Sequence, residues 1–159
     1  WKGFWEMQQM GLTERTPRMM ACQPENADST WRAFARRSLH HEALNEANTI
    51  ALSIGERITG DHALRAVYDS SGAALVASDA EIMDAARVLA RQGLALELAS
   101  AAPLACAQRY AAQGKAGEIW VAIGSGAAVK WPATLLDGFQ MPDCLPADLS
   151  ALEHFDFAR

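Results

Sequence analysis

An α/β fold, a mainly parallel sheet flanked by helices, follows from three observations on this sequence. Short apolar runs of strand length alternate with longer segments of helical periodicity. Residues that cap or stop helices punctuate the switches between them. The last apolar run, Glu118 to Ile123, breaks into Gly124-Ser125-Gly126, which would set a hydroxyl at the carboxyl end of a strand, where open α/β sheets bind ligands.

In order along the chain, residues 1–11 carry Phe4, Met7 and Met10 on one helical face, and Gly11 is a stop signal. Arg18 to Gln23 reads as a buried strand after Pro17. Asp28 or Ser29 caps a helix over Thr30 to Arg37. Residues 38–48 are polar and read as a loop, and Thr49 to Ile54 is too short to choose between helix and strand. His62 to Ser70 is helical and ends at Ser71-Gly72. Ala73 to Ala77 is a strand. Ser78, with Glu81 three residues on, forms a capping box for a helix running to Gly93. Leu94 to Glu97 is briefly extended. Ser100 to Gln113 is an Ala-rich helix, and Val121 to Ile123 is expected as a last, buried strand. The helices over 79–92 and 100–113 are expected to cover the sheet. A second candidate ligand turn is Glu97-Leu98-Ala99-Ser100-Ala101, where a helix start presents backbone N–H groups and partial positive charge.

Composition narrows the function. The chain has 159 residues, enough for one domain with a sizeable core, and is half apolar. Its net charge of −5 argues against a general nucleic-acid binder, which needs a basic face. No apolar run reaches membrane-spanning length. Cys22, Cys106 and Cys144 give neither a disulfide framework nor zinc spacing, so a cytoplasmic setting is the simplest reading. A chain opening Trp1-Lys2-Gly3-Phe4-Trp5 without an initiator Met reads as cut or processed. His40, His41 and Glu42 invite a metal reading, but adjacent loop residues rarely point at one ion, and no metal site is expected. Cys22 and Cys106 read as inert core thiols, and Met7, Met10, Met19 and Met20 as core packing. Trp5, Trp31 and Trp120 read as core or interface anchors.

Seven segments, in order, carry a family resemblance. They are Trp1-Lys2-Gly3-Phe4-Trp5; Pro17 to Gln23; Thr49-Ile50-Ala51 with Ile54-Gly55; Ala63-Leu64-Arg65-Ala66-Val67 with Ser71-Gly72; Val76 with Ser78-Asp79-Ala80-Glu81-Ile82; Glu97 to Ala102; and Ser125 to Pro132. Together they resemble the carboxyl-terminal part of the threonine synthase-like enzymes, within the fold type II (tryptophan synthase β-type) pyridoxal phosphate (PLP)-dependent family. The resemblance implies that residues 1–132 are part of that family's large domain, with 133–159 a carboxyl-terminal tail. It implies PLP as cofactor, an amino acid as substrate, elimination or replacement at the β or γ carbon, and a homodimer. A threonine or serine deaminase, or a non-catalytic partner subunit of the same fold, is the alternative.

The same resemblance assigns residues. Ser125, between Gly124 and Gly126, corresponds to the hydroxyl that faces the pyridine nitrogen of the cofactor and leaves it largely unprotonated. Glu97 corresponds to a glutamate in the turn beside the cofactor. Lys130 follows the hydroxyl turn and is not the lysine that carries the cofactor, which in this family lies far upstream. The sequence departs from the family pattern where Ala127 and Ala128 replace His and Gly, Trp131 replaces an acid, and Leu98 replaces Pro. Its only lysines are Lys2, Lys115 and Lys130. The glycine-rich phosphate loop and the Ser-x-Gly-Asn substrate motif are not among these residues. No catalytic residue is therefore expected in this chain, and an amino-terminal half, on the same or another chain, is expected to complete the enzyme.

Overall fold

The structure, a computed structural model, describes residues 1–113 and 117–133. Helix α1 is Lys2–Gln9, strand β1 Met20–Pro24, α2 Ser29–Ala35, α3 Asp61–Asp69, β2 Ala73–Ala77, α4 Asp79–Arg91 and α5 Leu98–Tyr110. Short 3-10 turns lie at Leu52–Ile54, Ala111–Gln113 and Ala128–Lys130. Strands β1 and β2 pair in parallel, with Met20 opposite Ala73 and Pro24 opposite Ala77. A parallel pair needs a long crossover, and here it carries α2 and α3. The α/β class and the parallel pairing agree with the sequence reading.

The core lies where α4 and α5 meet each other and β2. It is built from Leu75, Ala77, Ile82, Ala85, Ala86, Leu98, Ala101, Ala102, Ala105 and Cys106. Alanines on the facing sides let the two helices approach closely, so the apolar stripe buries with little side-chain entropy to lose. Helix α5 packs on both strands, as do α2 and α3, whereas α4 reaches the sheet mainly through α5. The expected cover by residues 79–92 and 100–113 is thus shared with α2 and α3.

Helix ends follow local chemistry. Ser78 and Glu81 form the expected capping box: the Ser78 hydroxyl accepts the Glu81 N–H at 3.2 Å, and the Glu81 carboxylate accepts the Ser78 N–H at 2.8 Å. Helix α2 is capped differently. Asp28 occupies the N-cap, but its carboxylate pairs with Arg32 at 2.8 Å. The free N–H groups of Thr30 and Trp31 instead donate to Gln23 Oε1, at 2.9 and 3.1 Å. A side chain from the end of β1 thus performs the cap. At the end of α3, Ser71 takes the left-handed conformation, φ 55°, and the Gly72 N–H returns to the Val67 carbonyl at 2.8 Å. Gly72 is required for another reason: any Cβ there would overlap the backbone carbonyl of Met19, where β1 and β2 begin to pair.

Two sequence expectations are corrected and one open choice is resolved. Glu118 to Ile123 is not a strand, and Ile119, Val121 and Ile123 are 90%, 82% and 73% exposed. β-propensity shows only that a segment suits a pleated surface, and no described strand pairs with this one. Met7 and Met10, expected in the core, are exposed on α1, which has no buried residue; Trp5 and Trp31 are also exposed, which removes the core half of their reading as core or interface anchors. Trp120 does pack against the core. Thr49 to Ile54 resolves to a 3-10 turn at Leu52–Ile54. Lys115, Cys144 and the proposed tail beyond residue 133 lie outside the described residues. Among the described residues no helix is long and apolar enough to cross a membrane.

Gly72→Ala tests the close approach of backbones at the start of the sheet. Overpacking costs about 1–3 kcal/mol where neighbours can move, and a backbone carbonyl cannot swing away as a side chain can. The expected result, read by urea unfolding, is a loss of at least that size.

Candidate functional site

The Gly124-Ser125-Gly126 turn is held against the start of α5. The Leu96–Ala127 bridge aligns two extended segments, with the Glu97 N–H donating to the Gly126 carbonyl at 3.0 Å and the Ala128 N–H to the Ala95 carbonyl at 3.0 Å. Ser100, in the first turn of α5, is 4% exposed. Its hydroxyl accepts the N–H groups of Ser125 and Gly126, at 3.2 and 2.8 Å, and lies 3.5 Å from the Ser125 hydroxyl. Ser125 itself is exposed. An anchored backbone therefore presents an accessible hydroxyl beside a helix N-terminus.

Glu97 lies behind this turn. It is 5% exposed, and its carboxylate takes Lys130 Nζ at 2.9 Å and the Ser53 hydroxyl at 3.0 Å. The Lys130 ammonium is the main cause that holds the Glu97 carboxyl below its ordinary range; burial opposes it, and Ser53 and Trp131 add to the lowering. The gap between Leu52, Ser53, Glu97, Leu98 and Trp131 encloses no space for a water molecule, so this is packed structure. A Cβ at Gly126 would overlap the Glu97 carboxyl group, which makes glycine the residue that fits there. At Gly124 a Cβ would meet only the end of the Leu96 side chain, which can move.

The structure brings all four sequence-selected residues, Glu97, Gly124, Ser125 and Gly126, into one cluster. It adds Ser53, Ser100 and Lys130. Ser100 had a sequence signal of its own: a lone hydroxyl in the run Leu98-Ala99-Ser100-Ala101-Ala102 must find a partner when buried. Ser53 had none, because its partner is 44 positions away. Lys2 pairs with Glu6 on α1, apart from this cluster.

The histidine pair stands elsewhere and serves the loop. Asp61 accepts His40 Nδ1 at 2.8 Å, and both the backbone N–H and Nδ1 of His41 at 2.9 Å. His41 Nε2 meets the Thr30 hydroxyl at 3.0 Å. These bonds, the one from His40 first, hold the Asp61 carboxyl well below its usual range. Among the described residues no group of three or more His, Cys, Asp or Glu side chains could hold a metal ion. Cys106 is buried, with its thiol raised by the neighbouring Cys22 and by burial, and Cys22 is half-buried.

Comparison with known proteins bears on this cluster. The model of the family described as "Pyridoxal-phosphate dependent enzyme" matches residues 1–126. The chain belongs to this family. It is 30% identical over 158 residues to the threonine synthase of Methanocaldococcus jannaschii, covering 96% of this chain and 39% of that protein. It is 34% identical over 152 residues to the threonine synthase of a Synechocystis species, covering 94% of this chain and 38% of that protein. The chain thus spans about two-fifths of the length of these curated relatives. Its fold matches the processed form of threonine deaminase isoform 2 from Solanum lycopersicum with a TM-score of 0.63 at 18% identity, over 85% of this chain and 39% of that one. At that identity the match shows the PLP-enzyme fold alone.

The donor set suits the family cofactor. The carboxylate of the cluster is neutralised by Lys130, so the accessible group on the turn is a neutral hydroxyl. A neutral donor matches a neutral aromatic nitrogen, whereas an accessible carboxylate would favour a protonated one.

Two outcomes are expected for Glu97→Gln. At neutral pH it should lower stability by about 1.5–3 kcal/mol, the range for a hydrogen bond to a charged group. The sign of the pH dependence follows from the lowered carboxyl. The stabilisation is complete above the ordinary value of 4.5 and is lost as pH falls through the lower folded value. The gap between wild type and variant should therefore close in acid, as measured by urea unfolding at stepped pH.

Proposed function

We infer that these residues form the carboxyl-terminal portion of a PLP-dependent amino-acid lyase of threonine synthase type, and that Ser125 is the group facing the cofactor ring nitrogen. The observation that carries the reading is the exposed Ser125 hydroxyl on a turn whose backbone is fixed by buried Ser100. Family membership and the identity to threonine synthases support the reaction class.

When bound, PLP supplies the electron sink for carbanion chemistry on the amino acid. The chain's own part is placement. Ser125 donates a hydrogen bond toward the ring nitrogen, which tempers the sink. Gly124 and Gly126 keep side chains off the backbone beside the hydroxyl. Glu97 fixes the turn from behind through Lys130 and Ser53, and so belongs to the cofactor-binding group by positioning it. The lysine that carries the cofactor, the phosphate loop and the substrate-carboxylate loop are assigned to the remainder of the enzyme. The expected setting is cytoplasmic, a reading supported by the free thiols Cys22 and Cys106.

Ser125→Asp in the complete enzyme is the direct test. A carboxylate there would stabilise the ring nitrogen in its protonated form, the proton coming from solvent, so the cofactor absorbance should shift. Turnover should fall by about tenfold or more, since a charge-assisted bond of about 1.5–3 kcal/mol is misplaced relative to the transition state. An unchanged spectrum and rate would remove Ser125 from this role.

A further inference from the structure

We propose that Ser100 is a positioning residue that sets the direction of the Ser125 hydrogen bond, turning the Ser125 hydroxyl into a donor toward the ligand. The proposal rests on the reading of Ser125 as the group facing the ring nitrogen.

The argument is a count of donors and acceptors. A serine hydroxyl has two acceptor sites and one proton. Both acceptor sites of Ser100 are taken, by the Ser125 N–H at 3.2 Å and the Gly126 N–H at 2.8 Å. Toward the Ser125 hydroxyl, 3.5 Å away, Ser100 has only its proton left to offer. In that pair Ser100 donates and Ser125 accepts. The Ser125 proton is then directed away from Ser100. Hydrogen bonds in a chain polarise one another, so an oxygen that already accepts is a better donor and a poorer second acceptor. Ser125 is exposed, which leaves its proton for a ligand atom with a lone pair. An unprotonated ring nitrogen is such an atom, and a protonated one is not.

Ser100 therefore acts twice. It pins two consecutive N–H groups of the turn, which fixes where the Ser125 hydroxyl stands. It also fixes which way that hydroxyl donates. No other hydrogen bond to the Ser125 side chain is seen among the described residues.

The test uses the full chain that contains these residues, loaded with PLP labelled with 15N in the ring. The ring-nitrogen chemical shift reports protonation and hydrogen bonding, and a cofactor titration gives Kd. Wild type should show an unprotonated, hydrogen-bonded nitrogen. Ser125→Ala should move the shift to that of a free, unprotonated pyridine. Ser100→Ala should move it part-way in the same direction and raise Kd about tenfold, one hydrogen bond's worth. Ser100→Thr, which keeps the hydroxyl, should restore wild-type behaviour. A wild-type shift and Kd in Ser100→Ala, with Ser125→Ala displaced, would overturn the role of Ser100 alone. If Ser125→Ala also leaves the shift unmoved, the assignment of Ser125 fails and this proposal fails with it. A protonated nitrogen in wild type would overturn the proposed direction without any variant. Should Ser100→Ala not fold, Ser100→Cys carries the comparison, since a thiol donates and accepts weakly: a part-way shift supports the proposal and a wild-type shift overturns it.

Discussion

The buried carboxylate of Glu97 organises the part of the chain that bears on function. A carboxylate at 5% exposure is costly unless a cation and donors meet it, and Lys130 and Ser53 do so from two different segments. Residues 53, 97 and 130 are thereby drawn to one point. The Gly124-Ser125-Gly126 turn lies between two of them in sequence. The backbone bond from Glu97 to Gly126, and a Glu97 carboxyl so close that a Cβ at position 126 would overlap it, then leave the turn little freedom. The exposure of Ser125 is meaningful because everything behind it is packed.

The same device recurs through the fold. Gln23, at the end of β1, caps α2 across seven positions. Asp79, at the start of α4, accepts the Thr49 hydroxyl at 2.5 Å and the Ile50 N–H at 3.1 Å. Ser100 binds two N–H groups some 25 positions away. Each is a polar side chain near the end of a regular element that satisfies backbone N–H groups left unpaired elsewhere, in the first turn of a helix or in an irregular segment. Loops carry donors and acceptors that regular structure does not pair, and burying them unpaired costs free energy. These bonds answer that cost and set loop positions at the same time.

What could be read from the sequence divides along this line. The Ser78–Glu81 capping box and the stop at Ser71-Gly72 depend on neighbours within a few residues, and the sequence displays them; β1 and β2 show the composition of strands and do find a partner, each other. Asp28 does hold the N-cap position of α2, but the acceptor for the helix's free N–H groups is Gln23, which arrives by tertiary folding and has no local signal. Glu118 to Ile123 has the composition of a strand, but strand formation is a property of a pair, and composition shows one member only. Gly72 was legible as a helix stop for a reason that proved incomplete: Ser71 takes the left-handed φ, and the glycine is needed for the approach of Met19. At the site, the four chosen residues do cluster, yet the sequence could not show that Glu97 is committed to Lys130.

The motif segments that carry the family resemblance gain a physical meaning from these bonds. Gln23, Thr49, Asp79, Glu97, Ser100, Ser125 and Lys130 all lie within those segments, and all take part in the long-range contacts just described. A motif of this kind need not consist of residues that touch a ligand. It includes the polar residues without which the Gly124-Ser125-Gly126 turn would have no fixed position. The departures fit the same account. Ala128 is buried beside the Leu96–Ala127 bridge, where a small side chain packs, and Trp131 lines the same closed gap as Glu97. An acid at position 131 would instead set a second negative charge beside that carboxylate, and Lys130 would have to neutralise both. The tryptophan leaves Lys130 fully engaged with Glu97, which keeps the charge behind the turn balanced and the Ser125 side of it neutral.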